Sequence, residues 1–422
     1  MNCYARRLGL SCLQLAAVPC LAQMALAQHA LTWQETRDKF RASNPTLLAG
    51  QVTIDESRAD EITANLRPNP DLTVGWDQFT PFSTNPYRPI AQSYLFGSVA
   101  YLHERDHKRE LRLASAKKAT AISISAQSDL ERNLMFTLRD AFVRVLLAKA
   151  VRQVARENLD YYDKEIAIGR ERLKSGDISQ VDFQRIDLQR VQFESDLETA
   201  QVNLRTAKID LIALLRDSTP VEQFDVSEPF DFEEPVTTLA DLRTLAINSR
   251  PDLKEAEQSL EKARTDHQLA IANGSTDPTF SVDASHQPPP LNTYVGLSVS
   301  IPLRIFDRNQ GEKQHTLLDI GRNQQLLDAS ELAALHDVDS AYATLESTLD
   351  LLKPYKAKYL KEAQDVRSSV SFAYLHGGAS LLDFLDAQKA YRDTQLSYVN
   401  LVGAYFSAAN QVNFAVGREV IR

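Results

Sequence analysis

The chain has 422 residues, with 47 Lys and Arg against 56 Asp and Glu, for a formal net charge of −9. Phosphate binding needs clustered Lys and Arg, and no basic patch breaks the mixed charges here, so nucleic acid is excluded as a partner. With only 14 Gly and 17 Pro, the chain is neither loop-dominated nor of low complexity.

Residues 1–27 have the grammar of a secretory signal peptide. Arg6 and Arg7 form a positive start, an apolar stretch follows from Leu8, and Ala25-Leu26-Ala27 supplies the cleavage site, leaving Gln28 as the expected first mature residue. All three cysteines, Cys3, Cys12 and Cys20, fall inside this leader. The mature chain is therefore expected to hold no disulfide and no thiolate metal site. Neither Cys12 nor Cys20 sits in a lipobox, so no lipid anchor is expected. No apolar run of about 20 residues follows the leader, which leaves the alternation of a β-barrel as the membrane signal to look for.

The rest of the chain is written twice. "RASNPTLLAG" (41–50) aligns with "INSRPDLKEA" (247–256), each a helix broken at a proline. "NPDLTV" (69–74) aligns with "DPTFSV" (277–282), and "SGDISQVDFQRIDLQ" (175–189) with "HGGASLLDFLDAQKA" (376–390). These matches divide the chain into a first repeat over 28–216 and a second over 239–417. Between them lies an acidic, Pro-bearing linker or side element (217–238), and residues 418–422 form a tail. In each repeat a helix precedes a β-hairpin, at about 70–103 and about 278–302, whose strands flank a Pro/Asn-rich turn. Val295, Leu297, Val299 and Ile301 fall on one face of the last strand, and Gly296, Ser298 and Ser300 on the other. That suits a strand between lipid and a watery lumen, and equally an ordinary half-buried hairpin.

Long helices complete each repeat. Gln388, Tyr391, Gln395, Tyr398, Val402, Tyr405, Ala409, Val412 and Val416 step three and four as a coiled-coil seam, as do Phe193, Leu197, Ala200, Leu204, Ala207, Leu211 and Leu214. The small and polar seam residues predict close, water-accessible packing. Breaks at Ser175-Gly176-Asp177 and Gly377-Gly378-Ala379 predict tight tips, at about 173–180 and about 374–380, because Gly supplies the positive φ of a helix-to-helix turn. At the end of the second strand, His103-Glu104-Arg105-Asp106-His107 spells H-E-x-x-H, which on a helix would aim two imidazoles at a zinc ion beside a general base. A charged Asp106 before the second His and the lack of a third ligand argue against that reading. No Ser/His/Asp set and no phosphate loop appears, so neither an enzyme nor a cofactor is expected.

The duplicated tips "RLKSGDISQVDFQ" and "YLHGGASLLDFLDAQ", with "NPTL", "RPDL", "VGLSVSIPLRIFDRNQG" and the terminal "AVG", resemble the TolC-like outer membrane factor family. "PLRIFDRNQG" is closer to its heavy-metal, cobalt–zinc–cadmium branch. The resemblance implies a mainly α fold with a small β part. A homotrimer would pool four strands per subunit into a 12-stranded outer-membrane barrel above a periplasmic helical tunnel. It implies an exit duct passing substrates, heavy-metal cations among them, from an inner-membrane pump and a periplasmic adaptor protein to the exterior. The alternatives are service to a multidrug or type I secretion system, a purely structural coiled coil and, remotely, a zinc peptidase. Carried over to the tips, the resemblance makes Asp383, Asp386 and Asp182 acids of the periplasmic entrance, where crowding would raise carboxyl pKa values. The adaptor would dock around Leu173, Ser175, Gly176, Leu375, Gly377 and Ser380. The family's basic residue after the second-tip glycine is missing from Gly378-Ala379-Ser380, which puts a closing ion pair from that position in doubt.

Overall fold

The computed structural model describes residues 30–79, 81–82, 85–90, 92–234, 236–287 and 292–421. The leader, its cysteines and Gln28 lie outside the described residues. Each half opens on two helices joined at a proline. Helix α1 (Trp33–Ser43) starts from a Thr32–Glu35 capping box and stops at Asn44, whose side chain caps α2 (Pro45–Asn65) through the amides of Thr46 and Leu47. Pro45 occupies the first position of α2, where a missing N–H costs nothing. In the second half, α5 (Leu239–Ser249) gives way at Arg250 to α6 (Pro251–Ala272).

The four strands β1 (Asp71–Asp77), β2 (Tyr94–Leu102), β3 (Thr279–His286) and β4 (Thr293–Ser300) form one antiparallel sheet in the order β1-β2-β3-β4. Its central pairing joins the two repeats, with Val99 opposite Val282 and Phe96 opposite Ser285. Register sorts the side chains. Leu72, Val99, Val282 and Leu297 lie across from one another in one row, Thr73, Ser98, Asp283 and Gly296 in the next. One face is thus apolar and bare, with Val74 67% and Leu297 82% exposed. The other is small and polar, and the Ser281 and Ser298 hydroxyls hydrogen-bond across it at 2.7 Å. Ile301, read with the last strand from its alternation, falls one residue beyond β4.

Two long helical hairpins hang from the sheet. The first pairs α3 (Lys108–Ser175) with α4 (Gln180–Leu215). The second pairs α7 (Gln310–Pro354), a π-helical turn (Tyr355–Tyr359) and α8 (Leu360–Leu375) with α9 (Leu381–Val416). At about 1.5 Å per residue α3 alone runs about 100 Å. The second hairpin departs from that continuity at Pro354, which has no N–H to give the preceding turn and whose ring crowds it, so the ladder widens for a turn before resuming.

Among the described residues the core is three apolar clusters strung along these helices rather than one. Phe40, Phe142, Leu138 and Leu211 anchor the first half, Leu242, Val338, Leu345, Tyr405 and Val412 the second, and Tyr162, Ile186, Phe193 and Phe384 the region near the tips. The seam of α9 departs in part from the water-accessible packing its polar residues suggested: Tyr391, Gln395 and Tyr398 are half-buried, but the positions from Val402 to Val416 and Gln388 are closed off. Gln388 is 4% exposed and donates to the Ser371 hydroxyl, and Asn158 donates to Gln395 at 3.0 Å. Buried polar side chains cost little when each finds a partner on the facing helix. In α4 the seam ends on Leu215, fully buried, with Leu214 only half-buried. The acidic segment between the repeats packs rather than dangles. Leu31 bridges to Val226, Phe224 and Val226 are buried, and Phe230 stacks on Phe406.

Candidate functional site: the paired hairpin tips

Both tips use the same local chemistry. Gly176 takes φ 83 and its amide, with that of Asp177, closes onto the carbonyls of the last turn of α3. Gly377 takes φ 76, and the Gly378 amide donates to Ala373 at 2.7 Å. Only Gly reaches such φ values without steric cost. Each returning helix starts on a serine. Ser179 caps α4, its hydroxyl 2.8 Å from the Asp182 carboxylate, and Ser380 forms a full capping box with Asp383. Hydrogen bonds from the Ser380 hydroxyl and amide hold the Asp383 carboxyl of the single chain below its ordinary range. Asp386 stands one turn further along α9, exposed.

A cleft of about 410 Å³ lies between the tips and brings Gly176, Asp182 and Gly377 together with Arg172, Ser179 and Tyr374. Asp383 and Asp386 are outside this cleft. Leu173 and Ser175 end α3, Leu375 ends α8 and Ser380 caps α9 beside it, Ser175 tying down Asp177 at 2.7 Å. The cation facing the second tip comes from the first hairpin. Arg172 donates to the Tyr374 carbonyl at 3.3 Å and lies 5.0 Å from the centre of its ring. Tyr374 stacks on Phe384 at 4.9 Å, and its shielded hydroxyl has no hydrogen-bond partner among the described residues. Burial pushes the Tyr374 phenol up, with Arg172 pulling the other way. The sequence did not reveal Arg172 or Tyr374, because 202 residues separate them and each sits among unremarkable helical neighbours. A second groove, of about 400 Å³, runs between Leu188 of α4 and Leu381, Leu382 and Leu385 of α9.

The H-E-x-x-H residues are not helical. His103 follows β2, with its ring edge-on to Phe280, and His107 is the N-cap of α3 at φ 58. Glu104 is engaged by the Arg112 guanidinium, and Asp277 accepts from the Arg105 amide and from Lys108 at 2.9 and 2.6 Å. Glu104 and Arg105, with Lys108, Arg112 and Asp277, thus clamp the sheet to the long helix. Among the described residues no group of three or more His, Cys, Asp or Glu is placed to hold a metal ion. No described helix is long and apolar enough to cross a membrane.

Residues 36–215 and 242–418 match the outer membrane efflux protein family, one span for each sheet-and-hairpin half. The chain belongs to that family. It is an outer-membrane efflux channel whose helices extend into the periplasm. Among curated relatives, the cobalt-zinc-cadmium resistance protein CzcC of Cupriavidus metallidurans is 21% identical over 92% of this chain and 90% of its own. The cation efflux system protein CusC of Escherichia coli O157:H7 is 22% identical over 93% of this chain and 79% of its own. A solved CusC structure superposes with a TM-score of 0.77 at 17% identity over 92% of both chains. The outer-membrane channel OprN does so with 0.75 at 15% identity, over 91% of this chain and 89% of its own. This efflux channel therefore shares its whole fold, not a fragment, with those ducts.

Proposed function

We propose that three copies of this chain close their sheets into one 12-stranded barrel. The duct so formed would pass heavy-metal cations outward from an inner-membrane pump through a periplasmic adaptor. The observation that carries the reading is the sheet itself. β1 and β4 are its outer strands, each paired on one side only, and its apolar face is bare. Unpaired backbone groups are not tolerated in lipid, and four strands are too few to close a barrel alone, so strands from other copies must complete it. The cargo rests on the relatives, since CzcC and CusC are named for cobalt-zinc-cadmium resistance and cation efflux. The tips would receive the adaptor's helical hairpins around Leu173, Ser175, Gly176, Leu375, Gly377 and Ser380. Asp182, Asp383 and Asp386 would put acids around the mouth.

A second cargo is favoured by a different likeness. The pyoverdine export outer membrane protein OpmQ of Pseudomonas aeruginosa is 24% identical over 73% of this chain. Deleting the gene and measuring growth across zinc, cobalt, cadmium and copper, alongside siderophore release, separates the two. Metal sensitivity restored by the gene supports the first reading. Lost siderophore release with unchanged metal tolerance replaces it with the second.

A further inference from the structure

Far from the tips, where the N-terminus of α1 meets the middle of α3 and the end of α9, lies a cavity of about 320 Å³. Five arginines line it, Arg37, Arg41, Arg132, Arg139 and Arg418, against two glutamates, Glu131 and Glu419. The glutamates are already committed, Glu131 to Arg41 at 2.6 Å and Glu419 to Arg37 at 3.5 Å. Arg132 is satisfied by Asp129, Asp252 and the Phe414 carbonyl. Arg139 is different. It is half-buried, its guanidinium lies 4.6 Å from the centre of the Trp33 ring, and it makes no ion pair or hydrogen bond among the described residues. Burial lowers its pKa, with Glu419 and Glu228 acting only from a distance, yet an arginine stays charged.

Among the described residues three shielded donors of this one cavity wall have no hydrogen-bond acceptor: Arg139 Nη1, the Trp33 indole N–H and Arg37 Nε, which has the Asp38 carboxylate 4.0 Å away. Shielded donors without partners are rare in folded proteins, and an uncompensated charge removed from water is more costly still. The excess of arginine and the shortage of acceptors call for the same thing, a small negative group. We propose that this cavity binds a carboxylate or small oxyanion, held by Arg139 with Arg37 and Trp33. The site requires rotation of the Arg37 and Arg139 side chains to bring their donors onto the acceptor, while the Trp33 ring supports the Arg139 guanidinium by cation–π contact. Two sources supply such a group: a free anion, or an acidic side chain of a second copy in the assembled trimer.

The test uses full-length protein in detergent. Thermal unfolding is followed with millimolar sulfate, and separately acetate, at constant ionic strength, in wild type, Arg139→Met and Arg37→Gln. Trimer survival in SDS is measured in parallel. A free anion gives a saturable rise on the order of 2 °C in the wild type that Arg139→Met abolishes. General salt effects act on wild type and variant alike. A neighbouring carboxylate gives no anion response in the wild type, but SDS-stable trimers that loosen in both variants. If Arg139→Met does not accumulate, Arg37→Gln carries the comparison. Equal behaviour of wild type and variants in both measurements overturns the proposal.

Discussion

Single side chains at the tips divide into those that shape the turn and those that charge the mouth, and Asp383 does both. Its carboxylate completes the cap of α9, and that bonding favours the ionised form. A carboxyl with a depressed folded pKa contributes its share of stability above the unfolded value, near 3.9, and loses it as pH falls through the lower folded value. Asp383 is therefore charged across the working range. Cation selectivity in planar bilayers should hold from pH 7 down to about pH 5, and should fall towards that of a neutral pore in Asp383→Asn with Asp386→Asn. Unchanged selectivity in the double variant would remove these acids from the entrance. The glycines test the turn itself. A Cβ at Gly176 meets nothing within 4 Å, so a substitution there is opposed only by the positive φ, which costs roughly 1–2 kcal/mol for most residues and less for Asn. Gly176→Asn should assemble and export, whereas Gly176→Val should assemble and fail to export. Normal export by Gly176→Val would argue against docking at this turn.

Among the elements, the junction of α5 and α6 with α9 is the most sharply set. Arg250 is 6% exposed and reaches Asp252 at 2.7 Å, Asp337 at 2.9 Å and the Ala415 carbonyl at 3.2 Å. Arg250 is buried but its partners are partly exposed, Asp252 at 29% and Asp337 at 40%, and Asp252 keeps Arg132 at 3.5 Å, so Arg250→Met should cost roughly 1.5–3 kcal/mol, read from chemical unfolding. Burial alone would raise the Asp252 carboxyl, but the Arg250 hydrogen bonds and the charges of Arg132 and Arg250 outweigh it and hold it low. This stability is present above about pH 4 and is lost as pH falls further, a dependence Arg250→Met should flatten. The sequence disclosed the Arg250-Pro251 break but not this cluster, because Asp337 and Ala415 lie 87 and 165 residues away. The same rule separates what was legible elsewhere. The strands could be read because alternation is local, so residues 293–300 declare their two faces unaided. The π turn after Pro354 also has a local signal, a proline inside a helical pattern. The burial of Gln388, the Arg172–Tyr374 contact and the Arg139 cavity had none. Each depends on which helices meet.

For the whole molecule, the decisive physics is which face of the sheet meets lipid. Adjacent residues of β4 ask that question with the backbone held constant. Leu297 points to the apolar face opposite Val282, and Ser298 to the polar face, bonded to Ser281. If three sheets close into a barrel with the apolar face outward, a lysine at 297 enters hydrocarbon, at roughly 2–4 kcal/mol per copy near the mid-plane, and every copy in a trimer bears it. A lysine at 298 enters a watery lumen and is hydrated. Leu297→Lys should therefore fail to yield heat-modifiable outer-membrane trimers, whereas Ser298→Lys should assemble near wild-type levels and lower cation conductance. A solvated hairpin on a purely structural coiled coil would accept Leu297→Lys without loss, since Leu297 is already exposed in the single chain. Equal recovery of both variants from the outer membrane would count against the barrel. Loss of Ser298→Lys with retention of Leu297→Lys would turn the sheet inside out.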